Sequence, residues 1–408
     1  MKKNIMKKKF YSRVPNSIVS VFIIMIAVVQ LAGCTKTAPY ISGSTINPPD
    51  TTTTAFTGTL LGCFVPANLS VASVQSINTG AVRVVLPGGE PLDSMLNLAA
   101  SGAWPSALQN ISNLSKAGIK VVVTVSWNSG HFRTPLPQPG STLYNIDMDT
   151  WSRFIKLMGP YLYAVVLDNE PQHDYAIADL ETQSDGSITA INWFKTLTAN
   201  AAALRAQNSN LSHLLISSPA LMDVNSLSGN FEQALFKWVN SDANVNLMDF
   251  HAHLAATTDI ENLFSYVMAH TTKKVIVTEW SQSAAGAEWL KQPVNSAFAS
   301  AHSISSSLTA DNFIKQCYSH PVDAATWNDF IATAPFSPSY ISGAFSIMQG
   351  LGVQAVFYGS YGQGGSSPVY DADKLFANVT VAPGANGQAQ PNYLFLKWYK
   401  AELVNIQN

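Results

Sequence analysis

The strongest constraint on how this chain can fold is an alternation. Eight short apolar runs, rich in β-branched residues, recur at 60–65, 81–86, 119–127, 163–167, 214–217, 245–253, 274–278 and 353–358. Longer amphipathic stretches separate them at 104–117, 151–159, 188–207, 231–240, 260–270 and 311–319. Strands that are apolar on both faces are buried on both faces, which describes a parallel sheet covered by helices. Eight such units in one chain fit an α/β fold of the closed (β/α)8 TIM-barrel type better than an open doubly wound sheet. No Gly-x-Gly-x-x-Gly follows an early run, so a dinucleotide-binding fold has no support. The glycine-rich stretch at 359–365 comes after the last run and reads as a rim loop. Apolar spacing at 393–404 predicts a closing helix. Two long connections, 281–309 and 320–340, are expected as loops walling the barrel mouth.

The N-terminus carries a different pattern. Lys2, Lys3, Lys7, Lys8, Lys9 and Arg13 precede an apolar run at 18–32, with no acid among them. This is the charged and apolar layout of an export signal, and the run is short for a membrane-spanning helix. It ends in Leu31-Ala32-Gly33-Cys34, which resembles the bacterial lipobox. That resemblance implies a lipoprotein signal peptide over 1–33 and a lipid on Cys34. The Thr- and Pro-rich segment 34–57 reads as a flexible tether, leaving 58–408 as one barrel domain. The expectation is an envelope protein held by its lipid, on the outer membrane of a Gram-negative cell.

Charge is scarce: 12% of residues against 47% apolar, which excludes a disordered chain. The formal net charge of −2 offers no basic excess for nucleic acid. Loss of the signal segment removes six of 23 cations and no acid, leaving 17 against 25, or −8. Two further cysteines remain, Cys63 in an apolar run and Cys317 in a helical stretch. Export permits a disulfide, but two small buried thiols are the simpler reading.

In a (β/α)8 barrel the chemistry gathers at the C-terminal ends of the strands. The fourth run continues into Asp168-Asn169-Glu170-Pro171, and the seventh into Thr278-Glu279-Trp280. A carboxylate placed directly after buried β-structure is costly unless something uses it. Strands four and seven stand across the barrel with both ends on one rim. Two carboxylates facing across a cleft are the apparatus of glycoside hydrolysis.

Here the sequence closely resembles the retaining (β/α)8 glycoside hydrolases of clan A, in which Asn-Glu closes strand four and Glu closes strand seven. The resemblance spans the chain after the tether. It implies that Glu170 is the acid/base, that Glu279 is the nucleophile, and that Asn169 holds the sugar 2-hydroxyl. It also implies a monomer acting on carbohydrate, without metal or cofactor. The cellulase-like family five of that clan has an Arg near the nucleophile, which Arg83 matches as the sole charge of its run.

A buried cation needs a carboxylate partner, and Glu279 and Asp168 are both open to Arg83. His251 and His253 stand at i and i+2, so both face one side of their strand. Family five often has His-x-Tyr there, so His253 would replace a tyrosine that contacts the nucleophile. Trp127, Trp280, Tyr358 and Tyr361 fall near strand ends, where aromatic faces suit sugar rings. The clan's usual Trp on strand eight is Phe357-Tyr358 here. Asn128 and His131 follow strand three, where family five often has a His. Two other readings stand beside the glycosidase: a non-catalytic carbohydrate-binding lipoprotein on the same barrel, and a metal-dependent hydrolase built on His251 and His253. The latter folds place such a His pair on strand one, where this chain has Cys63.

Overall fold

The computed structural model describes residues 58–127, 134–222, 227, 229–254, 256–281, 288–320, 322–334, 338–360, 382–383, 389–390 and 399–403. Cys34, the tether, Asn128, His131 and Tyr361 lie outside the described residues. The eight expected strands form, and in chain order they are β1 (Leu60–Phe64), β2 (Ala81–Pro87), β3 (Lys120–Ser126), β4 (Ala164–Val166), β5 (Leu215–Met222), β6 (Leu247–Ala252), β7 (Lys274–Trp280) and β8 (Ala355–Ser360). Each pairs in parallel with its neighbour, and β8 closes on β1 through Leu60↔Ala355 and Leu61↔Val356. The structure is a closed (β/α)8 barrel, as the alternation predicts.

Two apolar layers hold it. One lies between the strands and the helices. The other fills the barrel itself and includes Leu60, Ala81, Val122, Ala164, Val166, Leu247, Ile276 and Phe357. The interior is close-packed: a Cβ on Gly62 would overlap the Phe357 ring, so the missing side chain on β1 is the space that the ring on β8 fills. Side chains at i and i+2 share a strand face. Two residues beyond Ala81, Val122, Val166, Leu247 and Ile276 come Arg83, Thr124, Asp168, Asp249 and Thr278. The inward face therefore changes from apolar to polar toward the C-terminal ends of the strands.

Repeated local signals place the strands. The helices Ser106–Lys116 and Pro338–Gly350 both run into a left-handed glycine, Gly118 (φ +81°) and Gly352 (φ +85°). The next amide returns to the helix in each case, Ile119 N to Leu114 O at 3.1 Å and Val353 N to Met348 O at 3.0 Å. Only glycine adopts that turn without a Cβ penalty. Tyr399 in the helical stretch 399–403 donates to Thr79 Oγ1 (2.8 Å), just ahead of β2.

Three expectations need correction. The helix expected at 151–159 spans Thr142–Met158, capped by Ser141 Oγ accepting from Tyr144 N at 3.2 Å. Its first turns bury Asp147 and Thr150 while Leu143 and Ile146 are exposed, so apolar periodicity begins only at Trp151. A helix at Glu90–Ala100 was not expected, although Pro91 and two acids mark its first turn. The connections read as loops contain the helices Ser296–Ala301 and Ala324–Ala332 and the start of Pro338–Gly350. Their Ser- and Ala-rich composition hides a helical face.

Cys63 and Cys317 are both free and buried, so no disulfide joins them. Burial pushes the Cys317 thiol up to about 12 and the Cys63 thiol higher still. Among the described residues no helix is long and apolar enough to cross a membrane.

Candidate active site

The rim above β2, β4, β6 and β7 gathers the charges that stand out in the sequence. Arg83 is fully buried and forms an ion pair with Glu279 Oε1. Its other nitrogens donate to Thr124 Oγ1 (3.0 Å) and Asn169 Oδ1 (2.7 Å), and its guanidinium lies 5.0 Å from the centre of the Phe64 ring. One side chain thereby ties β2 to the ends of β3, β4 and β7. The choice between Glu279 and Asp168 is settled for Glu279.

Asp168 has other partners. Its Oδ1 accepts from the amides of Trp127 (3.0 Å) and Asn169 (2.7 Å), and its Oδ2 from the Tyr175 hydroxyl. Burial pushes its carboxyl up to about 8, against the pull of those donors. It pins the end of β4 to β3 and shapes the turn that carries Glu170. Glu170 itself is left-handed, with φ +43° and ψ +56°, and caps the short helix Pro171–Asp174. A non-glycine residue in that region costs about 1–2 kcal/mol, and such strain concentrates at functional sites.

His251 joins the two halves. Its Nδ1 lies 2.5 Å from Glu170 Oε1 and 3.8 Å from Glu279 Oε2, and its Nε2 lies 3.2 Å from Thr278 Oγ1. The Thr278 hydroxyl donates to Asp249 Oδ2 (2.6 Å), so its lone pair faces His251 and assigns a proton to Nε2. The Glu170–His251 contact is a short hydrogen bond between Oε1 and Nδ1. His253 Nε2 lies 3.5 Å from Glu279 Oε2, and its Nδ1 is 2.7 Å from Ser281 Oγ. Both imidazoles of the i, i+2 pair thus point into one cleft.

The electrostatics follow from these contacts. Burial raises the Glu279 carboxyl, but the His251 and Arg83 charges and the His253 bond outweigh it, holding Glu279 well below the usual range. Burial also raises Glu170, yet the bond and charge of His251 pull it down further than burial and the Glu279 charge push it up. Burial lifts Asp249 to about 6. An oxygen of Glu170 and an oxygen of Glu279 come within 4.8 Å of each other. That spacing matches a retaining pair at about 5–5.5 Å rather than an inverting pair at about 6.5–9.5 Å.

The aromatic expectation is corrected. Trp127, Trp280 and Tyr358 are fully buried and pack on other rings: Trp127 against Trp151 and Trp193, and Trp280 against Phe345 and Tyr358. None of the three presents an open face. Thr124, Asp249, Thr278, Ser281 and Phe64 are site residues that pattern reading passed over. Phe64 closes its apolar strand, and Asp249 and Ser281 lie two residues from His251 and Glu279, whereas Thr124 and Thr278 lie within strands, where threonine reads as an ordinary β-former.

No protein-family model and no curated protein matches the sequence. Solved structures do. β-Glucosidase from Thermotoga maritima, in complex with azafagomine, aligns with TM-score 0.51 at 10% identity, covering 86% of this chain and 98% of that one. The same enzyme with galacto-hydroximolactam gives TM-score 0.50 at 11% identity over the same shares. The GH53 catalytic domain of Ignisphaera aggregans aligns at 13% identity and TM-score 0.45, covering 88% of this chain and 99% of that one. The chain therefore has the eight-stranded parallel barrel found in glycoside hydrolases.

Proposed function

We propose that this protein is a retaining β-glycosidase that hydrolyses O-glycosidic bonds of an oligo- or polysaccharide by double displacement. The observation that carries the reading is the close approach of Glu170 and Glu279 across the rim, one oxygen of each within 4.8 Å of the other. Both carboxyls are held below the usual range, Glu279 further than Glu170. Glu279 is kept ionised by the His251 and Arg83 charges and attacks the anomeric carbon. Glu170, hydrogen-bonded to His251, delivers a proton to the leaving oxygen. Glu170 then takes a proton from the water that releases the sugar from Glu279. Asn169, held by Arg83, is positioned for the sugar 2-hydroxyl. Fold relatives named as β-glucosidases make aryl β-glucosides the first substrates to assay.

We place the barrel in the cell envelope as a monomer, anchored by a lipid on Cys34 through the 34–57 tether, on the outer membrane of a Gram-negative cell. The pattern that supports this is the basic segment, apolar run and Leu31-Ala32-Gly33-Cys34.

The test is kinetic. Aryl β-glycoside turnover should fall at least about 10⁴-fold in Glu279→Gln, the scale of losing a nucleophile. Azide added to Glu279→Ala should restore turnover and give an α-glycosyl azide. Wild-type turnover in Glu279→Gln overturns the assignment, and sugar affinity that survives in both glutamate variants without hydrolysis returns a binding protein.

A further inference from the structure

Glu170, His251, His253 and Glu279 each offer one donor atom, and the four atoms lie within 4.8 Å of one another. A tetrahedral zinc ion with bonds of about 2.0–2.1 Å holds its ligand atoms about 3.4 Å apart. Three of the six separations are 2.5 Å (Glu170–His251), 3.5 Å (His253–Glu279) and 3.8 Å (His251–Glu279), on either side of that edge, and the others lie within 4.8 Å. The register also serves it, because His251 pairs directly with Glu279 across β6 and β7.

The outer nitrogens give an independent argument. Metal-bound histidines anchor their second nitrogen on a hydrogen-bonding group, which fixes the ring. His251 has Nε2 on Thr278 Oγ1, itself held by the buried carboxylate of Asp249. His253 has Nδ1 on Ser281 Oγ, and Ser281 is buried. Each ring therefore turns its inner nitrogen toward the same cleft. Two imidazoles with two carboxylates select a borderline transition ion such as Zn²⁺ or Cu²⁺ over Ca²⁺ or Mg²⁺. Arg83 on the other oxygen of Glu279 opposes a dication, so the ion is exchangeable rather than resident.

We propose that this cluster is a regulatory transition-metal site, and that Zn²⁺ bound across Glu170, His251, His253 and Glu279 shuts the enzyme in competition with its sugar. The inhibitory consequence rests on the glycosidase reading; the binding does not. Binding ties up the nucleophile and breaks the hydrogen bond between Glu170 and His251.

The full chain, stripped with chelator, is titrated with Zn²⁺ by calorimetry and with Co²⁺ by visible absorption. One equivalent should bind, with the d–d bands of a tetrahedral Co²⁺ ion. Affinity should fall more than about tenfold in His253→Phe and in Glu279→Gln, and about tenfold in Ser281→Ala, which removes the outer anchor and leaves all four donor atoms in place. Circular dichroism checks that each variant is folded, and Ser281→Ala keeps the test decisive if His253→Phe is not. No stoichiometric binding, or affinity unchanged in all three variants, overturns the site. Turnover by the stripped enzyme, inhibited by Zn²⁺ and restored by chelator, completes the support. Stripped protein that hydrolyses only when Zn²⁺ is added overturns the regulatory role. Zn²⁺ binding without hydrolysis in either form sinks the glycosidase reading and leaves the site standing.

Discussion

At the residue scale, a low overall charge makes single ions informative. Arg83 could be singled out because β2 is otherwise apolar, and its burial demanded an anion. Its choice of Glu279 over Asp168 could not be read from the chain, because it depends on which strand ends meet across a closed barrel. Removing the cation leaves Glu279 uncompensated, so Arg83→Met should lose about 3–5 kcal/mol in denaturant unfolding. The same variant should require a higher pH for turnover, because Glu279 loses one of the charges that hold it ionised. A second expectation concerns the thiols. Burial keeps Cys63 and Cys317 protonated, so neither should react with a disulfide reagent at pH 8 until the protein unfolds, when both should titrate. Fast labelling of folded protein would contradict their packing.

At the element scale, the ends of β4 and β7 carry the two facing carboxylates, and each has its own device. The β4 end is bent: Glu170 sits in the left-handed region, which a side chain resists and glycine does not. Glu170→Gly should therefore be more stable than Glu170→Ala by about 1 kcal/mol, with both catalytically impaired, as equilibrium unfolding and aryl glycoside assays would show. The β7 end is wired: Thr278 joins Asp249 to His251 through one hydroxyl. Thr278→Val strips that link and leaves a buried carboxylate short of a donor. About 1–3 kcal/mol of stability should be lost, and kcat should fall more than KM rises because His251 is no longer oriented. Glu170 and Glu279 were legible because each follows an apolar strand. The relay behind them was not, since a threonine within a strand reads as an ordinary β-former. The helix Thr142–Met158 was half-legible for a related reason: its first buried positions are polar.

At the scale of the whole molecule, closure is what turns separate motifs into a site. Gly62 and Phe357, from the first and last strands, fit each other only when β8 pairs with β1. Gly62→Ala should cost about 1–3 kcal/mol through overpacking, read as a lower unfolding midpoint. The proposed lipid anchor is tested at the same scale: Cys34→Ser should shift the protein from the membrane fraction to the soluble one, and unchanged membrane retention would refute lipid anchoring.

Sequence alone determined the barrel, because apolar runs of strand length alternating with helical periods leave few ways to bury both faces of eight strands. It also determined that Arg83, Glu170 and Glu279 would lie at the rim, because each is a charge at or near the end of an apolar strand. The tertiary structure alone decided the pairings: Arg83 with Glu279, Glu170 with His251, His253 with Glu279, and buried rings where open ones were expected. Those contacts join residues up to 196 positions apart. Their selection depends on strand register and barrel closure, which local periodicity does not encode.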